Sequence, residues 1–421
     1  MATTAEKIEN KAGYKKTELG WIPEEWEIKK IKEIVSKVGS GITPRGGSST
    51  YKKEGIPFIR SQNVLYGRLS FDDIAFIDEK QHKSMSNSMV KPNDLLMNIT
   101  GASIGRACIV PANVIESNVN QHVCIIRVNN SLVPGFLLHF LLSPKGQNQI
   151  DTFQAGGNRE GLNYEQVRSF KIPFIPLTEQ QKIAEILSCW DKVIEKTENL
   201  ITAKTQLKNA FMQKLLTGKV RFEEFSGQKW KQSKIQDIFE SKSVKHNGSD
   251  YLPILSVTKD GIKLQSEHFK KRVASKNTAG YLIVEKNEIA MSGLNFWMGS
   301  IDMQQIVPKG IISPAYEVFK IRNNNADKKF LKFFVRSHLM LKILVDSSVQ
   351  GASIVRRNLN YKGFMASKLY IPSLEEQQKI AAVLNSCDKE TELLNKQLDA
   401  LKEQKKGLMQ KLLTGQIRVK I

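Results

Sequence analysis

Apolar residues recur at alternating intervals of four and three in two stretches of the chain, with polar residues filling the positions between. In the first stretch these positions are Ile183, Leu187, Trp190, Ile194, Thr197, Ile201, Lys204, Lys208, Phe211 and Leu215; in the second they are Ile380, Leu384, Cys387, Thr391, Leu394, Leu398, Leu401, Lys405, Leu408 and Leu412. Such spacing defines a coiled-coil seam, here interrupted by a few polar residues. The two stretches are also copies of one another. EQQKIA at Glu179–Ala184 returns at Glu376–Ala381, and MQKLLTG at Met212–Gly218 returns at Met409–Gly415, each 197 residues on (179 to 376, 212 to 409). Capping signals bracket both copies. Thr178 with Gln181, and Ser373 with Glu376, have capping-box spacing, while Pro176 and Pro372 precede the starts and Gly218 and Gly415 stand where a left-handed cap would end a helix. The pattern predicts long helices over 177–218 and 372–415, each roughly 60 Å long at ~1.5 Å per residue, and paired with each other antiparallel.

Outside the helices the pattern is mixed and also doubled. Residues 1–18 are polar and read as a loose arm. Leu19–Ile31 (LGWIPEEWEIKKI) opens the first globular region, and the stretch from Gly227 (GQKWKQSKIQDI) is its shorter counterpart, with Trp26 and Trp230 as equivalent core anchors. Val90–Val110 reads as strand, glycine turn and strand, and Ile283–Met303 as its weaker double, with Gly105 matching Gly299. Helical segments are expected at Pro134–Ser143 and Lys328–Val345. Glycine loops at Gly156–Tyr164 and Gly351–Tyr361 then lead through short strands into the long helices. The expected fold class is therefore α+β: two repeated mixed α/β domains separated by two long helices in an antiparallel coiled coil, with pseudo-two-fold symmetry. The expected divisions are an arm at 1–18, a first domain at 19–176, a first helix at 177–218, a second domain at 219–371, a second helix at 372–415 and a tail at 416–421.

Charge narrows the partner. The 421 residues carry 63 Lys and Arg against 42 Asp and Glu, a formal charge of +21, and such a field favours a polyanion. A membrane surface fits less well, since no run approaches 18 consecutive apolar residues and no signal peptide opens the chain. Cys108, Cys124, Cys189 and Cys387 form no C-x-x-C pair, as in a reduced, cytoplasmic protein without structural zinc. The six histidines show no metal-ligand spacing, and neither a phosphate-binding G-x-x-x-x-G-K-[ST] loop nor H-E-x-x-H occurs. No catalytic site, metal or cofactor is expected.

What remains are glycine-containing loops rich in Arg, Lys, Asn, Gln, Ser and Thr. Arg and Lys neutralise phosphates and read guanine, and Asn or Gln reads adenine through paired hydrogen bonds. The first-domain candidates for contact with nucleic acid, DNA-binding residues if the partner is a duplex, are Arg45, Arg60, Gln62, Asn63, Arg68, Asn98, Thr100, Ser103, Arg106, Asn158 and Arg159. Those of the second domain are Thr258, Lys259, Ser292, Asn295, Arg356, Arg357 and Asn358.

LGWIPEEW near the start, ITGASIG followed by NVNQHV, the EQQKIA start and KLLTG end of each long helix, and the two-fold repetition together resemble the specificity subunit of Type I restriction-modification systems. The resemblance covers almost the whole chain. The second domain departs from the pattern, with SGLNFWMGS in place of TGASIGRAC and SPAYEV in place of NQHVCI. The resemblance implies two target-recognition domains, each reading one half of a split double-stranded DNA target, on a subunit without enzymatic activity. It further implies assembly with two modification subunits, which methylate adenine using S-adenosylmethionine, and with restriction subunits that translocate and cut DNA using ATP. The helices would then act as spacer and docking surface. Two other readings fit the residues: a free-standing nucleic-acid-binding regulator without methyltransferase partners, and a coiled-coil scaffold.

Overall fold

The computed structural model describes residues 12–421 apart from 45, 115, 155–160, 270, 272, 276, 323–325 and 351–356. The chain divides into two compact units, Met1–Glu198 with Lys396–Ile421, and Asn199–Asn395. Each unit therefore holds one globular domain, the first half of one long helix and the second half of the other.

The two domains share one topology. In the first, a four-stranded antiparallel sheet has the order Val35–Ser40, Val123–Val128, Leu95–Asn98, Ala107–Ile109; in the second, the order is Phe239–Lys242, Tyr316–Ile321, Ile289–Ser292, Ile301–Met303. Leu95–Asn98 and Ile289–Ser292 are buried at every position, which accounts for their unbroken apolar runs ending in one polar residue. A two-stranded ribbon leads into each long helix: Glu27–Lys30 with Lys171–Phe174, and Lys231–Lys234 with Lys368–Ile371. The helix expected over 328–345 is two helices, Lys328–Phe334 and His338–Asp346. Ser337 makes the break, its hydroxyl accepting the Met340 N–H. Ser143 does the same in the first domain, between Pro134–Leu142 and Pro144–Gln154, by accepting from Gly146.

The long helices run Leu177–Leu215 and Leu374–Leu413. Gly218 and Gly415 end them at φ of +68° and +69°, a conformation that glycine adopts without strain. One cap differs from expectation. The first helix starts at Leu177, with the Pro176 carbonyl accepting from Gln180, so Thr178 lies inside the first turn and does not cap it. Ser373 sits at the equivalent of Pro176 and its hydroxyl does accept from Glu376, at 3.4 Å. Every seam position named above is buried or half-buried, and most positions between them are exposed. In the first unit Lys405 pairs with Asp191, and Lys402 with Glu198 at 2.7 Å. In the second, Lys204 meets Glu390 at 2.7 Å and Lys208 meets Asp388 at 2.5 Å. Numbers rise on one helix as they fall on the other, so within each unit the helix halves run antiparallel. Burial alone would raise the Asp388 pKa, but hydrogen bonds from Lys208 and Lys332 outweigh it and hold the carboxyl below its usual range.

The repeated motifs act where helix and domain join. Gln180 accepts the Val133 N–H at 2.8 Å and donates to Ser131 and Ile175 carbonyls; Gln377 likewise accepts from Asp327 N–H at 2.8 Å. Ile183, Leu187, Leu412 and Leu413 pack into the core around Trp26 and Phe136, and Ile380, Leu384, Leu215 and Leu216 into that around Phe330 and Phe334. Each such buried side chain contributes about 1.5–3 kcal/mol. The KLLTG end of one helix thus belongs to the core into which the other helix starts.

Just past each glycine comes a reciprocal ion pair. Arg418 binds buried Glu179 in the first unit, Nε at 3.0 Å, and Arg221 binds buried Glu376 through Nε at 2.8 Å and a second nitrogen at 2.6 Å. Each guanidinium also lies over a tryptophan, Trp26 at 5.5 Å or Trp230 at 5.9 Å. The 416–421 segment is therefore not a free tail. Nor is the arm loose throughout: Tyr14–Thr17 pairs antiparallel with Gly20–Pro23, and the Tyr14 hydroxyl donates to the Gly415 carbonyl at 2.8 Å. The contacts depend on residues 239 and 401 positions away, which local polarity does not reveal.

Candidate nucleic-acid interface

Strand register brings the polar loops together. In the first domain Ser40 lies opposite Cys124, Val123 opposite Asn98, and Met97 opposite Ala107. The loop after Ser40, the turn from Ile99 to Arg106 and the Asn120–His122 segment consequently leave the sheet at one end. Backbone bonds join neighbours to this end: Gly67 N–H to the Ala107 carbonyl, and Leu162 N–H to the Ile99 carbonyl, each at 2.8 Å. The second domain repeats the arrangement, with Lys242 opposite Val318, Tyr316 opposite Ser292, and Met291 opposite Ile301. Gly105 and Gly299 close the equivalent turns at φ of +82° and +86°.

The candidate residues separate by what their side chains do. Gln62 and Arg68 are exposed, and Thr100, Ser103 and Arg106 half-buried, around this end of the first domain. The Arg106 guanidinium lies 5.9 Å from the ring of Tyr66, which is 63% exposed. Arg60 is held inward, donating to the Asp73 carbonyl at 2.5 Å and lying 5.5 Å from the Tyr51 ring. Asn63 and Asn98, expected to contact DNA, are fully buried and hold the loops from within. Asn63 accepts the Arg60 N–H and donates to the Asp72 carbonyl, while Asn98 donates to Ser61 and Val64 carbonyls and to the Ser103 hydroxyl. Two residues that sequence reading missed stand beside them. His122 Nδ1 is 2.6 Å from the Thr100 hydroxyl, and Gln121 next to it is exposed. The NVNQHV stretch contained that signal, but no spacing rule ties it to Thr100.

In the second domain Ser292 is buried, and its hydroxyl accepts the Asn295 N–H at 3.1 Å, so it too shapes the turn and does not face outward. Asn295 is exposed, as is Asn358 on the ribbon Ser348–Gln350 and Arg357–Leu359. Arg357 donates to Ser348 at 2.9 Å and lies 5.5 Å from the Trp297 ring. Thr258 and Lys259 occupy a separate tight turn, in which the Thr258 hydroxyl donates to the Gly261 carbonyl and the Lys259 carbonyl accepts from Arg336. The neighbouring Asp302 carboxyl is pushed up by burial, partly offset by the Ile262 N–H and the charge of Arg336. Arg45, Asn158, Arg159 and Arg356 lie outside the described residues.

Both loop ends offer hydrogen-bonding side chains and arginine–aromatic stacks, the chemistry that meets phosphates and base edges. Among the described residues no three His, Cys, Asp or Glu gather as a metal site, and no helix is long and apolar enough to cross a membrane. Burial raises the thiols of Cys108 and Cys124 to about 12, which leaves them unreactive.

Two like domains with unlike polar loops at the same sheet end, built onto paired long helices, define a duplicated recognition protein. The family described as Type I restriction modification DNA specificity domain matches residues 23–204 and again 227–403. A putative type I restriction enzyme MjaX specificity subunit from Methanocaldococcus jannaschii is 26% identical over 97% of both chains. The EcoKI specificity subunit of Escherichia coli is 24% identical over 48% of this chain and 44% of its own. The type I restriction-modification S subunit from M. genitalium shares the fold, with a TM-score of 0.53, 17% identity, and coverage of 92% of this chain and 96% of that one. The chain belongs to the specificity-subunit family of type I restriction-modification systems, with two target-recognition domains and two long helices.

Proposed function

We propose that this chain is the non-catalytic DNA-reading subunit of a cytoplasmic type I restriction-modification complex. Each domain reads one half of a bipartite duplex target through the loop end of its four-stranded sheet. The paired helices fix the spacing of the half-sites and carry two modification subunits, with restriction subunits completing the assembly. The observation that carries this reading is the sheet end itself: the turn between the third and fourth strands carries Arg106 in one domain and Asn295 and Trp297 in the other, with Tyr66 packed beside Arg106 from a neighbouring loop and Arg357 beside Trp297 from the ribbon. One framework with two sets of contacts is what reading two different half-sites requires. The formal charge of +21 supplies the non-specific attraction to duplex DNA. The test is to map adenine methylation across the host genome with the gene present and deleted. An asymmetric, interrupted motif should disappear on deletion; a methylation pattern identical in both strains would reject the proposal.

A further inference from the structure

The second unit contains a pocket of about 720 Å³ where the helix Lys328–Phe334 meets the start of the second long helix. Asn287 and Gln305, which bracket the strands Ile289–Ser292 and Ile301–Met303, also line it. The pocket therefore lies at the sheet end opposite the recognition loops. Lys328, Lys329, Lys332 and Lys389 line it. Lys332 is engaged by Asp388 at 3.0 Å, whereas the other three are exposed and have no ion-pair partner among the described residues. Side-chain amides, Gln378 and Asn385 among them, Ser386, Ala382 and a single carboxylate, Asp327, complete the wall; Asp327 is committed to capping its helix, accepting the Phe330 N–H at 2.8 Å, and neither an aromatic ring nor an arginine is present.

The internal repeat gives a control within the same chain. Residues 134, 135 and 138 are the first-unit equivalents of Lys328, Lys329 and Lys332, counting from the helix starts, and they are Pro134, Gly135 and Leu138. Only Lys389 has a lysine counterpart, Lys192. The cationic pocket is thus a property of one unit.

We propose that this pocket docks an acidic peptide segment of a modification subunit; the proposal rests on the functional reading above. Without a ring to stack on a base, or a guanidinium fork to grip a phosphate, the pocket suits flexible carboxylates met by point charges. Duplex DNA held at the opposite sheet end is the less fitting polyanion. Single exposed ion pairs are weak, so the segment must present several carboxylates at once. The two modification subunits would consequently be held unequally, the one at the second unit more tightly at low salt.

The experiment uses the full chain co-expressed with its modification subunits, as wild type and as the triple variant Lys328→Glu, Lys329→Glu, Lys389→Glu. Native mass spectrometry during salt titration should show the wild-type complex losing its two modification subunits in separate steps. The variant should lose both together, its tighter site weakened about tenfold or more at low salt and unchanged at about 1 M, where screening removes the difference. Lys192→Glu in the first unit should leave the separation intact. Binding of a deca-glutamate peptide and of a random-sequence duplex is measured alongside. A variant that keeps the wild-type steps, or loses duplex affinity while keeping both subunits and the peptide, overturns the proposal. A wild-type chain that binds no modification subunit would instead overturn the functional reading beneath it.

Discussion

The two units agree where helix joins domain and disagree where loops leave the sheet. At the joints Glu179 and Glu376, Gln180 and Gln377, Ile183 and Ile380, and Arg418 and Arg221 do the same work with the same residues. At the loop ends the side chains diverge, and in the second domain even the turn holding Gly299 has lost the polar character of its counterpart. Identity has been kept where two helices must meet two cores in one register, and variation allowed where only the strand ends are fixed. Even at the joints the copies are not quite equal. Trp230 donates to Glu376 at 3.1 Å, whereas Trp26 Nε1 and Glu179 Oε2 are buried without a hydrogen-bond partner among the described residues.

The strongest way to break the comparison is to force one unit to serve as both. A fragment of residues 1–221 carries the first domain, the first long helix and Arg221, the equivalent of Arg418. Its exposed seam and its free Glu179 should accept the Met212–Arg221 segment of a second copy. It should therefore sediment as a dimer at micromolar concentration and, with modification subunits, direct methylation to a palindrome of the first half-site. A monomer, or methylation of the original asymmetric target, would sink the idea. Next in size is the ion pair itself. Arg418→Met and Arg221→Met each strand a buried carboxylate, at a cost of about 3–5 kcal/mol, read as a lowered denaturant midpoint. The first should be the more damaging, since Glu376 keeps its tryptophan donor and Glu179 has none.

Acid should separate the units. Burial, reinforced by Lys405 and opposed by Asp191, lowers the His139 pKa to about 4, whereas the sixth residue of the matching helix is Phe333. A histidine kept neutral by folding favours the unfolded state once pH drops below its ordinary value of about 6.5, so the first unit loses up to about 3 kcal/mol between pH 6.5 and 4. Asp302 in the second unit has a raised pKa, so protonation favours its folded state and stability rises as pH falls through that value. Hydrogen exchange resolved by unit, at pH 7 and 4.5, should show protection falling in the first unit only, and His139→Phe should remove that fall. The smallest effects belong to the loops. Arg106→Ala and Arg357→Ala should each relax one position of one half-site by about 1–3 kcal/mol if they read bases. Loss shared equally by target and random duplexes would mark them as phosphate contacts.

The long helices and their seam were legible because a four-three period is a local property that packing seldom overrides. Thr178 misled because capping boxes recur inside helices, and the choice fell to Pro176, whose ring suits the turn before a helix. Asn63, Asn98 and Ser292 belong to the polar loops and turns but face inward. Polarity marks a loop, yet whether its amide serves the protein or a ligand depends on strand register and on neighbours such as Ser61 and Ser103. Tyr66 and His122 escaped because their partners, Arg106 and Thr100, are 40 and 22 positions away.

The hydrogen bond from the Tyr14 hydroxyl to the Gly415 carbonyl ties the first strand to the end of the second long helix, and Arg418 adds a bond to Glu25. A short polar linker between the segment after Arg418 and the strand Tyr14–Thr17 would join these neighbours covalently, and new ends could be opened near Ser226, in the exposed connection between the first long helix and the second domain. Such a circular permutant would keep every joint while reversing which half-site is encoded first. The order of the two readings along the gene is then a matter of where the ring was cut, and the DNA motif should be indifferent to it.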